Sequence, residues 1–377
     1  MAGIYLHIPF CKTRCIYCDF YSTTDESKWK ARYIDALCRE LELRKTYLQE
    51  EEIETIYFGG GTPSQLLPED FVRIFETIRT VYGMEHCKEI TLEANPDDLT
   101  AAYIRELSRL PFNRLSIGIQ TFNDDLLKLL RRRHSAGQAI AAVEECRRQG
   151  FENISIDLMY GLPGETLERW ENDLEKALKL DVEHISAYHL IYEEGTPLWE
   201  MRKKHRVEET DEDISVDFFA RMIERLTQND FAHYEISNFC RPDKYALHNS
   251  SYWNGKKYLG CGPSAHSYDG VSRQWNVASL PIYIIGMENG TPKTEKEELS
   301  LYTRYNDFVI TSLRTMWGLS LIRLRDEFGC ELYDYCLENA RKHLMAGRLI
   351  LKDQTLSLSP AGLFTSDGIM SDLLWVE

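Results

Sequence analysis

Three cysteines lie within eight residues, in Cys11-Lys12-Thr13-Arg14-Cys15-Ile16-Tyr17-Cys18. Thiols packed this closely ask for a metal. Three thiolates on one short loop can hold three irons of a cubane, whereas a cluster held by protein alone takes four cysteines. The next cysteine, Cys38, falls in a helix-like stretch. One iron would therefore keep an open position, as catalytic metal sites do. Zinc is the competing metal, but structural zinc usually takes two separated pairs and no second pair is present. Cys38, Cys87, Cys146, Cys240, Cys261, Cys330 and Cys336 are scattered through the chain and read as small buried hydrophobes.

Other polar residues stand where a ligand could be met. Gly59-Gly60-Gly61-Thr62-Pro63 follows the second predicted strand. Glycines let a backbone approach a ligand closely, although a tight strand-to-helix turn gives the same pattern. Glu93 ends the third predicted strand, Gln120 ends the fourth, and Asp157 lies within the fifth. In barrel-like folds ligands sit at the C-terminal ends of the strands. A lone acid there is often a helix cap; three in succession are harder to dismiss. Arg132 lies in an Arg-Arg-Arg run, whose plain reading is a solvated face.

The elements that must position these groups alternate. Apolar runs at Gly3–Ile8, Ile53–Phe58, Glu89–Glu93, Arg114–Gln120, Asn153–Met159 and His184–Tyr192 suit strands buried on both faces. Amphipathic segments at Trp29–Leu48, Pro68–Tyr82, Ala136–Gln149 and Leu167–Leu180 separate them. This predicts an α/β fold of parallel βαβ units. Six strands fall short of the eight of a full barrel, so the expectation is an incomplete parallel (β/α)6 barrel over 1–230. A helix is expected over Asp211–Gln228. The aromatic-rich 231–290 reads as an irregular loop region closing the site, and turn chemistry at Met287–Pro292 suggests a boundary. The tail, 291–377, reads as a small helical, winged-helix-like domain with helices at Tyr302–Arg314, Leu321–Glu327 and Leu332–Ala346, then a hairpin.

Composition excludes several functions. The net charge is −16, a poor basis for nucleic-acid binding, which needs clustered Lys and Arg. From Ser300 onward eight Lys or Arg face ten Asp or Glu, so the tail has no basic reading face. No run of about 18 apolar residues occurs, so no membrane span is expected. The N-terminus lacks a basic region before its apolar stretch, and a cytoplasmic protein is expected.

The string HIPFCKTRCIYCDF resembles the cluster loop of radical S-adenosylmethionine enzymes, and more narrowly that of the oxygen-independent coproporphyrinogen III oxidase family. The resemblance covers nearly the whole chain, including the tail. It implies a 4Fe–4S cluster on Cys11, Cys15 and Cys18, with the fourth iron chelated by the amino and carboxylate groups of S-adenosylmethionine. One electron would then break the sulfonium C–S bond and give a 5′-deoxyadenosyl radical. By the same resemblance Gly60, Gly61 and Thr62 match the family's GGTP motif, Glu93, Gln120 and Asp157 contact the ribose and methionine parts, and Arg132 faces the methionine carboxylate. Tyr5 and Tyr17 are expected near the cluster, and Ile191 and His266 along the pocket; core packing explains those four equally well.

Two branches of the family differ in function: an oxidase that decarboxylates coproporphyrinogen III, and a heme chaperone that delivers heme to acceptor proteins. Phe20 stands where the oxidase branch resembles a further cysteine, and the chain has no extension before its first strand of the kind the oxidase branch carries. His248-Asn249-Ser250-Ser251-Tyr252-Trp253 matches HNxxYW, a motif of the chaperone branch. Imidazole is a common axial heme ligand, which makes His248 the heme candidate; a hydrogen-bonded histidine beside aromatic core is the bland alternative. Gly260–Tyr268 (GCGPSAHSY) resembles a segment that closes over the cofactor. The expected partners are heme or a porphyrinogen, a heme-acceptor protein and an electron donor. A radical tRNA-modifying enzyme is disfavoured by the charge.

Overall fold

The computed structural model describes residues 1–49 and 51–376. Its first half alternates strand and helix: β1 (Ala2–Ile8), α1 (Glu26–Leu43), β2 (Ile53–Gly60), α2 (Pro68–Tyr82), β3 (Glu89–Ala94), α3 (Ala101–Leu107), β4 (Arg114–Gln120), α4 (Asp124–Leu129), α5 (Ala136–Arg148), β5 (Ile154–Tyr160), α6 (Leu167–Lys179) and β6 (His184–His189). Each strand pairs in parallel with the next. Their apolar runs are buried on both faces, as parallel strands under a helical layer must be. The helices lay one stripe on the sheet. In α6 that stripe is Trp170, Leu174 and Ala177. Thr166 caps α6, and Ser135 with Gln138 forms a capping box on α5, so these starts are written locally.

The stretch after β6 is more ordered than its sequence suggests. It contains α7 (Pro197–Lys203), α8 (Glu212–Thr227), β7 (Ala232–Glu235), β8 (Asn238–Cys240), α9 (Leu247–Trp253), β9 (Tyr258–Cys261), β10 (His266–Tyr268), β11 (Ser272–Asn276), α10 (Leu280–Glu288) and β12 (Thr294–Glu298). The expected irregular region of 231–290 is therefore corrected. All six of these strands join the barrel sheet, in the order β12-β11-β10-β9-β1-β2-β3-β4-β5-β6-β8-β7. β9 runs parallel to β1, and β8 runs antiparallel to β6. β12 pairs with β11, so the charged TEKEE segment belongs to the sheet and not to the tail.

A buried carboxylate ties together the β9–β11 side. Glu40 of α1 accepts hydrogen bonds from the Gly262 amide at 2.8 Å, Asn276 Nδ2 at 2.7 Å, Tyr283 OH at 2.7 Å and Arg44 at 3.1 Å. Four donors from α1 itself, the β9–β10 turn, β11 and α10 thus converge on one charge, and a buried charge is tolerated only when satisfied in this way.

The C-terminal module has its own apolar core. It comprises α11 (Leu301–Leu313), β13 (Leu319–Ser320), α12 (Leu321–Met345), β14 (Leu349–Lys352), β15 (Thr355–Leu358), α13 (Pro360–Leu363) and α14 (Ser366–Leu373). Gly329, at φ 82°, breaks α12 between the two helices the sequence predicts. The module also covers one free edge of the barrel sheet. The Met316 amide donates to Tyr234 O at 2.9 Å, the Ile236 amide to Arg314 O at 3.2 Å, and Arg314 pairs with buried Glu235. The opposite edge, β12, is exposed and carries Glu295, Lys296, Glu297 and Glu298.

No helix among the described residues is long and apolar enough to cross a membrane. Gly260 is the tightest point of the sheet extension: a Cβ there would lie 2.0 Å from His266 O. Gly260→Ala is expected to cost about 2–3 kcal/mol by forcing β9 and β10 apart. A thermal midpoint within a degree of the parent would disprove that packing.

Candidate functional site

All the strand C-termini from β1 to β6 open on one cavity of about 450 Å³. The loop between β1 and α1 carries Cys11, Cys15 and Cys18 to its wall. This loop has little regular structure of its own, so it is tied down from outside. The Cys11 amide donates to Thr23 O at 2.9 Å and the Thr23 amide to Pro9 O at 2.7 Å. Lys12 reaches Asp98 at 3.2 Å. The same buried Asp98 takes Ser64 Oγ at 2.8 Å, Gln65 Nε2 at 2.5 Å and Arg133 at 3.1 Å. One carboxylate thereby joins the cysteine loop to the segments after β2, β3 and α4.

Two sulfurs have donors aimed at them. Thr62 Oγ1 donates to Cys11 Sγ at 3.3 Å, and Arg132 Nη1 to Cys15 Sγ at 3.4 Å. Arg132 also gives Nη2 to Asn95 Oδ1 at 2.7 Å and to Gly118 O at 2.5 Å. Burial pushes the Cys11 thiol up and the Cys18 thiol to about 11. Metal ligation replaces those protons, so the donors at Cys11 and Cys15 suit sulfurs that carry charge. A structural tetrahedral zinc takes four protein ligands, whereas a cubane spreads three thiolates over separate irons and leaves the fourth iron open. The donor set fits a cluster.

The remaining wall is polar and acidic. Tyr57 OH donates to Glu93 Oε1 at 2.6 Å. Burial, reinforced by Asp157, raises the Glu93 carboxyl to about 7, and burial raises Asp157 to about 6. Ser116 Oγ holds Asp157 at 3.3 Å. Gln120 sits at φ 70°, where the β4–β5 register shifts between Gly118 and Gln120. A non-glycine residue at positive φ is costly, and here the irregularity turns a polar side chain into the cavity. Gly60, at φ 106°, has no room for a Cβ, which would meet the His7 ring at 2.7 Å. Arg132 Nε is buried without an acceptor, an unfilled donor beside the cysteines.

Of the residues singled out from sequence, Cys11, Cys15, Cys18, Tyr17, Gly60, Gly61, Thr62, Glu93, Gln120, Arg132, Asp157 and Ile191 line this cavity. Ile191 stands at the mouth, 63% exposed, beside equally exposed Phe20 and the ring of Tyr188. Three positions are corrected. Tyr5 lies one layer behind the wall, its hydroxyl 3.1 Å from His7 Nδ1. His266 is outside the cavity, on β10, exposed and stacked on Trp275. His248 is 1% exposed; its Nδ1 meets Thr55 Oγ1 and its Nε2 meets Tyr252 OH, both at 2.8 Å. Neither ring nitrogen is free for a metal, so the hydrogen-bonded reading describes it. The 260–268 segment does not close the site either; from 231–290 only Asn249 reaches the wall. Sequence reasoning missed Tyr57, Asn95, Ser116 and Ser186. Asn95 follows Glu93 by two positions at a strand end, the spacing that returns a side chain to the same face.

Residues 5–177 match the family model described as Radical SAM superfamily, and residues 299–365 match the HemN C-terminal domain. The chain is 35% identical over 334 residues to the heme chaperone HemW of Bacillus subtilis, covering 88% of each chain. It is 34% identical over 376 residues to the heme chaperone HemW of Mycobacterium tuberculosis, covering 99% of this chain and 94% of that one. The chain belongs to the HemW family of radical SAM proteins. Membership in that family implies a 4Fe–4S cluster and S-adenosylmethionine. The structure of coproporphyrinogen III oxidase (HemN) from Escherichia coli superposes with a TM-score of 0.86 at 23% identity, covering 99% of this chain and 89% of that one, which establishes the shared fold.

The acidic wall makes a pH prediction. A carboxyl raised from 4.5 to about 7 favours the folded state below pH 4.5 and loses that contribution as pH rises toward 7. Glu93→Gln should therefore stabilise the ligand-free protein at pH 8, by roughly 1–2 kcal/mol once cavity water is allowed for. Thermal midpoints of parent and variant should draw together as pH falls toward 5; a constant offset across that range would refute the assignment.

Proposed function

We propose that the protein carries a 4Fe–4S cluster on Cys11, Cys15 and Cys18, binds S-adenosylmethionine at the remaining iron, and takes up heme for transfer to an acceptor protein. The observation that carries the first part is the convergence of three thiols, the Arg132 guanidinium and the polar strand ends on one cavity. The heme part is supported by whole-length similarity to HemW heme chaperones.

Each wall residue has a task in that reading. Arg132 offers its unfilled Nε to the methionine carboxylate, a role guanidinium geometry suits. Gly60 and Gly61 bring backbone close to the amino group. Glu93 and Asp157 accept from hydroxyls, and the exposed apolar rim of Phe20, Tyr188 and Ile191 shields the mouth from water. When bound, the cluster supplies the electron for S-adenosylmethionine cleavage, and the protein supplies position and electrostatics. A redox-competent site in a transfer protein also implies an electron-donor partner.

Three experiments test this. Cys11→Ala, Cys15→Ala and Cys18→Ala should each fall from about four irons per chain to a small fraction of that after anaerobic reconstitution. Full iron content in any of them would defeat the ligand assignment. Arg132→Gln should retain iron but weaken S-adenosylmethionine binding roughly tenfold or more. For the heme part, reconstituted protein with S-adenosylmethionine, a reductant and coproporphyrinogen III should yield no porphyrin product while binding heme stoichiometrically. Repeated turnover to protoporphyrinogen would make the protein an oxidase.

A further inference from the structure

A second cavity, about 330 Å³, lies between the barrel and the C-terminal module. Its barrel side comes from the end of α9 and from β9 to β11; its other side comes from α11 and α12. None of its lining residues is shared with the cluster cavity.

The lining combines aromatic faces with cations. Tyr252, Trp253, Tyr258 and Phe308 form walls around Arg273, Arg304 and Arg323. Two of these arginines are already committed: Arg273 pairs with Asp307 at 2.6 Å and Arg323 with Glu327 at 2.6 Å. Arg304 has no carboxylate partner and no side-chain hydrogen bond among the described residues, and its Nε is buried without an acceptor. Trp253 Nε1 is likewise buried without one. A buried guanidinium donor left unpaired is unfavourable unless a ligand completes it. Arginine in a fixed fork among aromatic faces recognises carboxylates on flat ligands.

We propose that this cavity is a second ligand site, which grips the carboxylate edge of a planar, carboxylate-bearing ligand through Arg304. Heme has that chemistry, and the identification of the ligand with heme rests on the chaperone reading above. A volume of about 330 Å³ is at the small end for ligand pockets. It takes one edge of a macrocycle and leaves the rest in solvent, an arrangement suited to handing the ligand on. It also frees His248 from any need to leave its two hydrogen bonds.

Absorbance titrations of the full chain test this, with heme, metal-free protoporphyrin IX and protoporphyrin IX dimethyl ester as probes. The metal-free probe removes axial ligation, and the ester removes the carboxylates. The expected result is that Arg304→Gln weakens heme and protoporphyrin binding roughly tenfold, that Arg304→Lys recovers part of it, and that the ester binds weakly to the parent and is indifferent to the substitution. Heme bound with parental affinity by Arg304→Gln, or ester bound as well as the free acid, overturns this site and leaves the chaperone reading standing. No heme or porphyrin bound by the parent overturns both.

Discussion

A single guanidinium, Arg132, touches a cysteine sulfur, a side chain beyond β3 and a carbonyl of β4. The cysteine loop needs such an external brace. It has few internal hydrogen bonds, and three neighbouring thiolates repel one another. Arg132 answers the charge and Asp98 answers the geometry, gathering Lys12, Ser64, Gln65 and Arg133 onto one buried carboxylate. These two residues carry opposite charges. The barrel strands then need only deliver their C-terminal ends to the same place, and the alternating strand-helix pattern does so.

Much of this was readable without coordinates, for a physical reason. Parallel strands buried on both faces are continuous apolar runs, so β1 to β6 stand out at nearly their final bounds. The cysteine spacing and the polar residues at strand ends stand out for the same local reason. β7 to β12 do not. They are three to five residues long, and the buried charge that orders the turns around β9 to β11, Glu40, lies more than 200 positions away from Gly262 and Tyr283. No periodicity within 231–298 reveals a partner at that distance. His248 shows the same limit from the other side. A histidine in a motif looks available, and only the structure shows Thr55 and Tyr252 occupying both of its nitrogens. Asn95 was overlooked because asparagine at a strand end is also ordinary turn chemistry.

Helix α9 links the two cavities. Asn249 reaches the cluster cavity, while Tyr252 and Trp253 face the interdomain one. His248 lies between, stacked on Tyr57, the ring that also holds Glu93. Two ligand chemistries, one redox and one carrying a flat anion, are thus brought to the same short helix without sharing a side chain. The packing that separates them is hydrogen-bonded and aromatic throughout, so it can be rigid while remaining polar.

An unclosed barrel has a cost that a closed one avoids: each free strand edge is a template for adding another strand. At β7 the module stops that growth, laying Arg314–Met316 along the edge and burying Glu235 beneath Arg314. At β12 no described residue covers the edge, and the charges of Glu295, Lys296, Glu297 and Glu298 do the work instead. The two ends are therefore protected by different physics. The β7 end, held by backbone hydrogen bonds and the buried Glu235, is screened less by salt, whereas the β12 end weakens as salt screens its charges. Removing the module would leave the β7 edge open to strand addition, so the C-terminal domain guards that edge as well as completing a cavity.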